Sequence, residues 1–551
     1  MRLISSLAVL AAVALSACAT TSGGDAATPV FDAARLSEHI RVLSDDGFEG
    51  RGIATPAEAK VIEYLSAQYA AAGFQPGGTD GGWTQAVTLN RFAASNIHAS
   101  LGLGDWSLPM TQGREVAIST RRPAEHVSLK DAPLVFVGYG VKAPERHWDD
   151  FKGQDLRGKI LVVLINDADF EDPSLDTFGG RAMTYYGRWT YKYEEAARQG
   201  AAGVLIVHET APASYGWTTV ANSWGGPQFD IVRADAASER VPVEAWIQRD
   251  VAVDLFHRAG LDFEALKVQA RSRDFQPVAL PGASFSTEFD VATTASTTHN
   301  VIARLPGAVH PDETILYTGH WDHIGTGEPD ATGDRIFNGA VDNASGQAGL
   351  IELARAFGRG PRPARSIVMI SFTAEESGLL GSEFYAANPV YPLETTVAGF
   401  NIDSMNVAGR MSKVGIVGAG QSDLDALVTA AAAAQGREAE GEANPAGGSY
   451  YRSDHFPLAK RGVPMAYLKP AGDFLDEPIA ERAAMVAEYS RSRYHQAADE
   501  WSPDWDYTGM IQDLSLIYGV GRDLANSRDW PGWRTGSEFG PVRARTASAR
   551  D

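Results

Sequence analysis

The sequence predicts an α/β protein: a mainly parallel, doubly wound sheet, with a smaller β-rich α/β unit inserted into it. Three observations carry this. From Thr298 onward, apolar runs of strand length alternate with amphipathic stretches of helix length, the pattern of a sheet covered by helices on both faces. Acidic and imidazole residues recur just past the ends of these runs, where open α/β sheets place their sites. Between Asn96 and Ser284 a second alternation of strands and helices carries none of that recurring set.

At 551 residues the chain exceeds what one core organises, so several domains are expected. Residues 1–17 begin with Arg2, pass through ISSLAVLAAVAL and end in small residues before Cys18. This is the layout of a signal peptide, too short to span a bilayer as a mature helix. Leu15-Ser16-Ala17-Cys18 resembles the bacterial lipobox, which implies lipid attachment at Cys18 and a place in the bacterial cell envelope. With Ala19 following, the implied site is an outer membrane, facing the periplasm; the alternative is an ordinary cleaved signal and a secreted or periplasmic protein. Cys18 is the sole cysteine, so no intrachain disulfide forms.

Residues 18–30 read as a linker and 31–95 as the first part of the main domain. FDAARLSEHIRVLS is a predicted helix. Thr55-Pro56-Ala57-Glu58 predicts the start of another, with threonine at the N-cap, proline at the first helical position and a capping-box glutamate. Val61, Leu65, Tyr69 and Ala72 line one face, and Gly73 ends it. Residues 96–284 form the insertion: PLVFVGYGV, RGKILVVLIN, a helix YKYEEAARQG and a strand AAGVLIVHE, with Gly138, Tyr139 and Gly140 as a tight turn. In 285–530 the order is ETILYTGHWDHIG, helix ASGQAGLIELARAFG, RSIVMISFTAEE, TVAGFNIDSM, KVGIVGAG, helix DLDALVTAAAAAQG, and a last helix from Gln512 to Ala525. Residues 531–551 are expected to be a mobile tail.

The chemistry lies in an ordered set: His320 in TGHWDHIG, Asp342 in NGAVDNASG, Glu375 and Glu376 in SFTAEESG, Asp403 in FNIDSMN and His495 in RYHQAADEW. Imidazole and carboxylate together suit zinc, and an incomplete protein shell leaves room for water. Two dications in one site require an anionic group between them, and Asp342 is the candidate. Three ligating carboxylates plus a hydroxide would nearly neutralise two zinc ions, leaving Glu375 free as a base.

At these residues the chain resembles the di-zinc aminopeptidases of peptidase family M28, which also include glutamate carboxypeptidases, glutaminyl cyclases and the transferrin receptor. The resemblance implies a sheet of the zinc exopeptidase type and two zinc ions: His320 and Asp403 on one, Glu376 and His495 on the other, Asp342 bridging, and Glu375 as general base. It also implies that Asp322 orients His320 and lies near the bridging carboxylate, and that Tyr494 donates to an oxyanion, against packing as its other reading. Ser453, Asp454 and His455 match a stretch close to the family's site, with His455 open between ligand and packing. His310 and His323 read as surface or hydrogen-bonded histidines, and Asp499 and Glu500 as solvent-facing, with support of His495 from behind as their other reading. The segment 96–284 resembles the protease-associated domain inserted in this family, shaping access to the site.

The implied activity is zinc-dependent hydrolysis of peptides by an aminopeptidase. A glutamate-type carboxypeptidase carries a large helical domain beyond the position of His495, and the residues remaining here are too few for one; Arg452 is the arginine that could serve such an enzyme as a carboxylate clamp. Glutaminyl cyclases lack the insertion, and a transferrin-receptor-like binding protein gives no reason to retain every ligand. A formal net charge of -21 opposes nucleic acid as a partner, and membrane association is expected only through Cys18.

Overall fold

The computed structural model describes residues 31–550; the apolar leader and Cys18 lie outside the described residues. Four parallel strands form the centre, in the order Met465–Phe474, Thr396–Asn401, His310–His320 and Arg365–Phe372. Every residue of Arg365–Phe372 and of Thr396–Asn401 is buried, as expected where helices cover both faces. Alternation divides their side chains between two cores. Ile315, Tyr317, Ile367 and Met369 pack with the helices Ala33–Leu43, Pro56–Ala71, Gly346–Arg359 and Thr508–Asn526. Leu316, Val368, Ile370 and Phe372 point into the opposite core, which holds Tyr385 and Phe456 and runs on into the inserted segment.

The helix Pro56–Ala71 buries Val61, Leu65 and Tyr69, the face its spacing predicts. Its expected capping box does not form. Thr55 Oγ1 turns back to donate to the Gly52 carbonyl at 2.7 Å, and Glu58 instead accepts from Ala54 N at 2.8 Å and pairs with His299 Nδ1 at 2.8 Å.

The insertion carries its own parallel strands, Ile160–Leu164, Gly203–His208 and Val243–Gln248, with Trp189–Arg198 crossing between the first two. Gly138 and Gly140 have φ of 57° and 61°, the tight turn anticipated there. The expected boundaries at 95/96 and 284/285 fall inside two continuous strands, Thr84–Leu103 and Val278–Leu305. These run antiparallel from Thr84↔Val301 to Leu103↔Ala283, with one irregularity at Glu288/Asp290. Gln228–Ile231, from within the insertion, then returns to pair with Leu89–Phe92.

The stretch expected to be a mobile tail is packed. Phe539 is 2% exposed and lies 4.9 Å from Trp533, ring to ring; Trp533 Nε1 donates to the Gly462 carbonyl at 2.9 Å and Glu538 accepts from Tyr185 N and Tyr451 Oη. Low apolar density between these anchors hid them, because each partner is remote in sequence. Truncating a buried phenylalanine costs about 3–5 kcal/mol, so Phe539→Ala should lower the thermal unfolding midpoint measurably in calorimetry. An unchanged midpoint would return the segment to the status of a loose tail.

Candidate metal centre

His320 ends its strand, Glu375 and Glu376 follow Arg365–Phe372, Asp403 follows Thr396–Asn401, and Asp342 occupies the turn before Gly346–Arg359. Parallel strands bring their carboxyl ends to one edge, so residues distant in sequence meet there. His495 arrives from the other side, three residues beyond the helix Ile479–Ser492.

The contacts separate into two sets joined by one carboxylate. His320 Nε2 lies 3.3 Å from Asp342 Oδ1 and 3.5 Å from Asp403 Oδ1. His495 Nε2 lies 3.1 Å from Asp342 Oδ2 and 3.2 Å from Glu376 Oε2. Asp342 thus turns one oxygen to each set. His320 Nδ1 donates to the Asp322 carbonyl at 3.1 Å, which turns Nε2 toward the carboxylate oxygens. A proton on Nε2, or a cation lying between the groups, satisfies this arrangement. Ligand atoms about 2.0–2.1 Å from a tetrahedral zinc lie about 3.3 Å from one another, the spacing found in both sets, so these residues fit the metal.

Asp322 acts differently from the expectation. Its main-chain carbonyl, not its carboxylate, holds His320; the nearest carboxylate oxygen is 3.9 Å from Nδ1. The carboxylate accepts from Glu375 N at 3.1 Å and Glu376 N at 3.4 Å. It therefore sets the turn that aims both glutamates. The backbone of this turn explains the exchange, since those two N–H groups lie past the strand end with no ladder partner.

Glu375 is partly buried beside His320 and Glu376. Burial, reinforced by the charges of Glu376 and Asp403, raises its carboxyl well above the ordinary range against the pull of His320. Asp342 stays well below that range: burial opposes ionisation, but hydrogen bonds from His320 and His495 outweigh it. Asp403 is brought to about 2, burial again being outweighed, here by Lys469 and His320. Ser453 Oγ donates to Asp403 Oδ2 at 2.7 Å and Tyr467 Oη at 3.3 Å, while Lys469 Nζ holds the Asp403 carbonyl at 2.7 Å.

Two residues matter that the sequence reading missed. Asp499, expected to face solvent, is fully buried; its carboxylate accepts from Val341 N at 3.1 Å and Asp342 N at 3.2 Å, and from Tyr489 Oη at 3.3 Å. The turn after His495 folds back under the Asp342 loop and buries it. Arg51 is also fully buried, donating to the carbonyls of Leu43, Trp321, Asn338 and Gly339 at 2.6–2.8 Å. Burial lowers its pKa to about 10 while Asp499 and Asp342 support its charge. It braces the loops beneath the centre and supplies a fixed cation. The EGRG stretch signalled it only as a charged residue among glycines.

The backbone here is held out of its ordinary regions. Arg51, Ala374, Ser404 and His495 have φ of 50°, 54°, 56° and 56°, each roughly a 1–3 kcal/mol strain that surrounding contacts must offset. At Gly339, φ 55°, a Cβ would collide with the Asp342 carbonyl oxygen and the His323 ring. His323 is buried and hydrogen-bonded, its Nδ1 donating to Glu376 Oε1 at 2.7 Å. His310 is partly exposed near Glu313, at 3.9 Å.

Tyr494 stacks on His495, with centroids 3.9 Å apart and planes 27° apart, and lines the cavity that reaches Glu375, Glu376 and His495. The inserted segment forms part of that cavity, and its Ile231 packs with Ala374 and Leu380 beside the glutamate turn. Arg452 lines it too, donating to Ser214 Oγ at 3.0 Å and the Gly447 carbonyl at 2.9 Å.

His455 stays out of both sets and packs against Tyr450 and Tyr467, at 4.6 and 4.8 Å. Burial holds its imidazole down to about 3. The unfolded chain takes up this proton near the ordinary histidine value of about 6.5, so between there and the folded value the unfolded state binds more protons. Stability falls as pH falls through that window, by about 2 kcal/mol for this group at pH 5. His455→Phe keeps the ring packing and should flatten the acid limb of the urea midpoint against pH. An identical limb in the variant would assign the acid sensitivity elsewhere.

Residues 300–518 match the model of Peptidase family M28. Among curated proteins, the chain is 38% identical over 298 residues to Aminopeptidase NAALADL1 of Mus musculus, covering 44% of this chain and 38% of that protein. It is 39% identical over 103 residues to a probable zinc metalloprotease of Pyrenophora teres f. teres (strain 0-1), covering 19% of this chain and 22% of that protein. The chain therefore spans well under two thirds of these relatives. An aminopeptidase from Aneurinibacillus sp. strain AM-1 is 21% identical, with 90% of this chain and 94% of that chain covered and a TM-score of 0.47. A zinc aminopeptidase from Bacillus subtilis is 17% identical, with 90% and 96% covered and a TM-score of 0.41.

Proposed function

With residues 300–518 matching the model of Peptidase family M28, we propose that the protein is a zinc exopeptidase that releases residues from the amino terminus of peptides. The observation that carries this reading is Asp342, whose two oxygens face two separate imidazole and carboxylate pairs at 3.1 and 3.3 Å. His320 and Asp403 would hold one zinc ion, Glu376 and His495 the second, with Asp342 shared. Bound zinc supplies Lewis-acid polarisation of the scissile carbonyl and lowers the pKa of water toward neutrality.

The chain's own residues handle the proton and the position of the substrate. A Glu375 carboxylate oxygen takes the proton of the attacking water and passes it to the leaving amine. Asp322 fixes the turn carrying Glu375, and Asp499 and Arg51 fix the loop carrying Asp342. Tyr494 would offer its hydroxyl to the developing oxyanion from the cavity wall. The anionic charge of Glu375 and Glu376 beside the cavity suits a substrate's terminal ammonium, which favours an aminopeptidase over a carboxypeptidase.

Purified protein should hold two zinc ions per chain by elemental analysis. Glu375→Gln should retain them while losing on the order of 10²–10⁴ in kcat. Full activity with fewer than two ions would sink the two-ion reading, and near-normal turnover in the variant would sink the base. Acetylating the amino terminus of a cleaved peptide should abolish its hydrolysis in a product assay by mass spectrometry. Continued cleavage of the blocked peptide would remove the protein from the aminopeptidases.

A further inference from the structure

The cavity beside the metal centre has a second end of opposite charge. It encloses about 300 Å³, and the inserted segment supplies much of the wall away from Glu375, Glu376 and His495. Most cations on that wall are already neutralised. Arg121 faces Glu244, Arg233 and Arg240 share Asp230 at 2.9 and 2.8 Å, and Lys460 faces Glu194 at 3.2 Å.

Arg188 is the exception. It is only 9% exposed, its Nε is sealed from solvent with no acceptor, and its side chain has no ion-pair partner among the described residues. The neighbouring cation, Arg452, gives its Nη2 only to a hydroxyl and a main-chain carbonyl, so it brings no anion. Burial, with the like charge of Arg452 added, holds Arg188 down to about 10, which still leaves it charged at neutral pH. A buried guanidinium without a counter-ion is costly. The cost is recovered when a ligand carries the missing anion into the cavity.

We infer that Arg188 and Arg452 form a carboxylate-binding subsite at the far end of the cavity, which makes short peptides bearing a carboxylate close to their amino terminus the preferred substrates. The inference rests on the peptidase reading and names its substrate class. A planar guanidinium presents paired N–H donors matched to the two oxygens of a carboxylate. With anionic glutamates at one end and free cations at the other, the cavity is complementary to a zwitterion. Two sources supply the same chemistry: the terminal carboxylate of a di- or tripeptide, or an acidic side chain near the scissile bond.

The test compares kcat/KM of the full-length zinc-loaded enzyme on peptides that share one amino-terminal residue. One arm pairs free with amidated di- and tripeptides; the other pairs aspartate or glutamate with asparagine or glutamine in longer amidated peptides. The carboxylate-bearing partner should be favoured on the order of 10²-fold, mainly through KM, and the arm showing this identifies the source. Arg188→Gln should bring that ratio close to one, and Arg188→Lys, which keeps the charge and loses the fork, should bring it part of the way. A wild-type ratio near one in both arms overturns the subsite, as does a folded Arg188→Gln with its ratio intact. The wild-type comparison decides without a variant if neither folds. Absence of cleavage of any peptide overturns the peptidase reading itself, which is a distinct outcome from cleavage without discrimination.

Discussion

Glu375, Glu376, Asp342 and Asp403 converge with His320 and His495 at one edge of the sheet, where ligand atoms approach to 3.1–3.5 Å. Two like charges about 4 Å apart repel by about 4 kcal/mol at an effective dielectric near 20. Several such pairs amount to a sizeable part of the stability of a domain. Much of the surrounding architecture counters this repulsion. Arg51 and Lys469 bring fixed positive charge, and Asp322 and Asp499 tie the ligand-bearing loops by their N–H groups. Left-handed backbone at Ala374, Ser404 and His495 aims the side chains inward where ordinary extended chain would turn them aside.

The second organising feature is the way the inserted segment meets the centre. It approaches through Ile231, which packs beside the glutamate turn, and through the arginine-rich wall of the cavity. Residues of the insertion and the histidine–carboxylate cluster thus lie on different stretches of chain while sharing one cavity, a separation common to folds that host many activities.

The strand-end residues were legible because their signal is local: an apolar run, then a carboxylate or histidine, repeated in a set order. Three strands of the parallel sheet sit where the hydrophobic patterning put them; the fourth, Met465–Phe474, was not among the runs read, and KVGIVGAG pairs antiparallel with it. Asp499 and Arg51 were not legible. Asp499 finds its partners 157 and 158 residues away, and Arg51 reaches as far as 291 residues to Asp342. No pattern within a window of sequence distinguishes such a buried charge from a solvated one, because the carbonyls and N–H groups that satisfy it belong to turns. The C-terminal stretch was misread for a related reason: Trp533, Phe539 and Glu538 are scattered anchors, each answering a pocket built by other elements. Asp322 shows the finer limit, since its residue was recognised while the orienting of His320 falls to its carbonyl and its carboxylate holds the glutamate turn instead.

The paired strands Thr84–Leu103 and Val278–Leu305 have a mechanical consequence. Val301–Leu305 belongs to the central sheet, hydrogen-bonded to Arg365–Phe372, and the same strand continues unbroken into the insertion. A flexible linker lets a domain swing; a two-stranded ribbon resists bending and yields by twisting, most readily at its irregularity between Glu288 and Asp290. The cavity wall is therefore carried on a stiff lever rooted in the catalytic sheet. Cutting the chain at residues 95 and 285 and joining the ends would sever both strands of the ribbon partway along and would strip Gln228–Ile231 from the Leu89–Phe92 edge left behind.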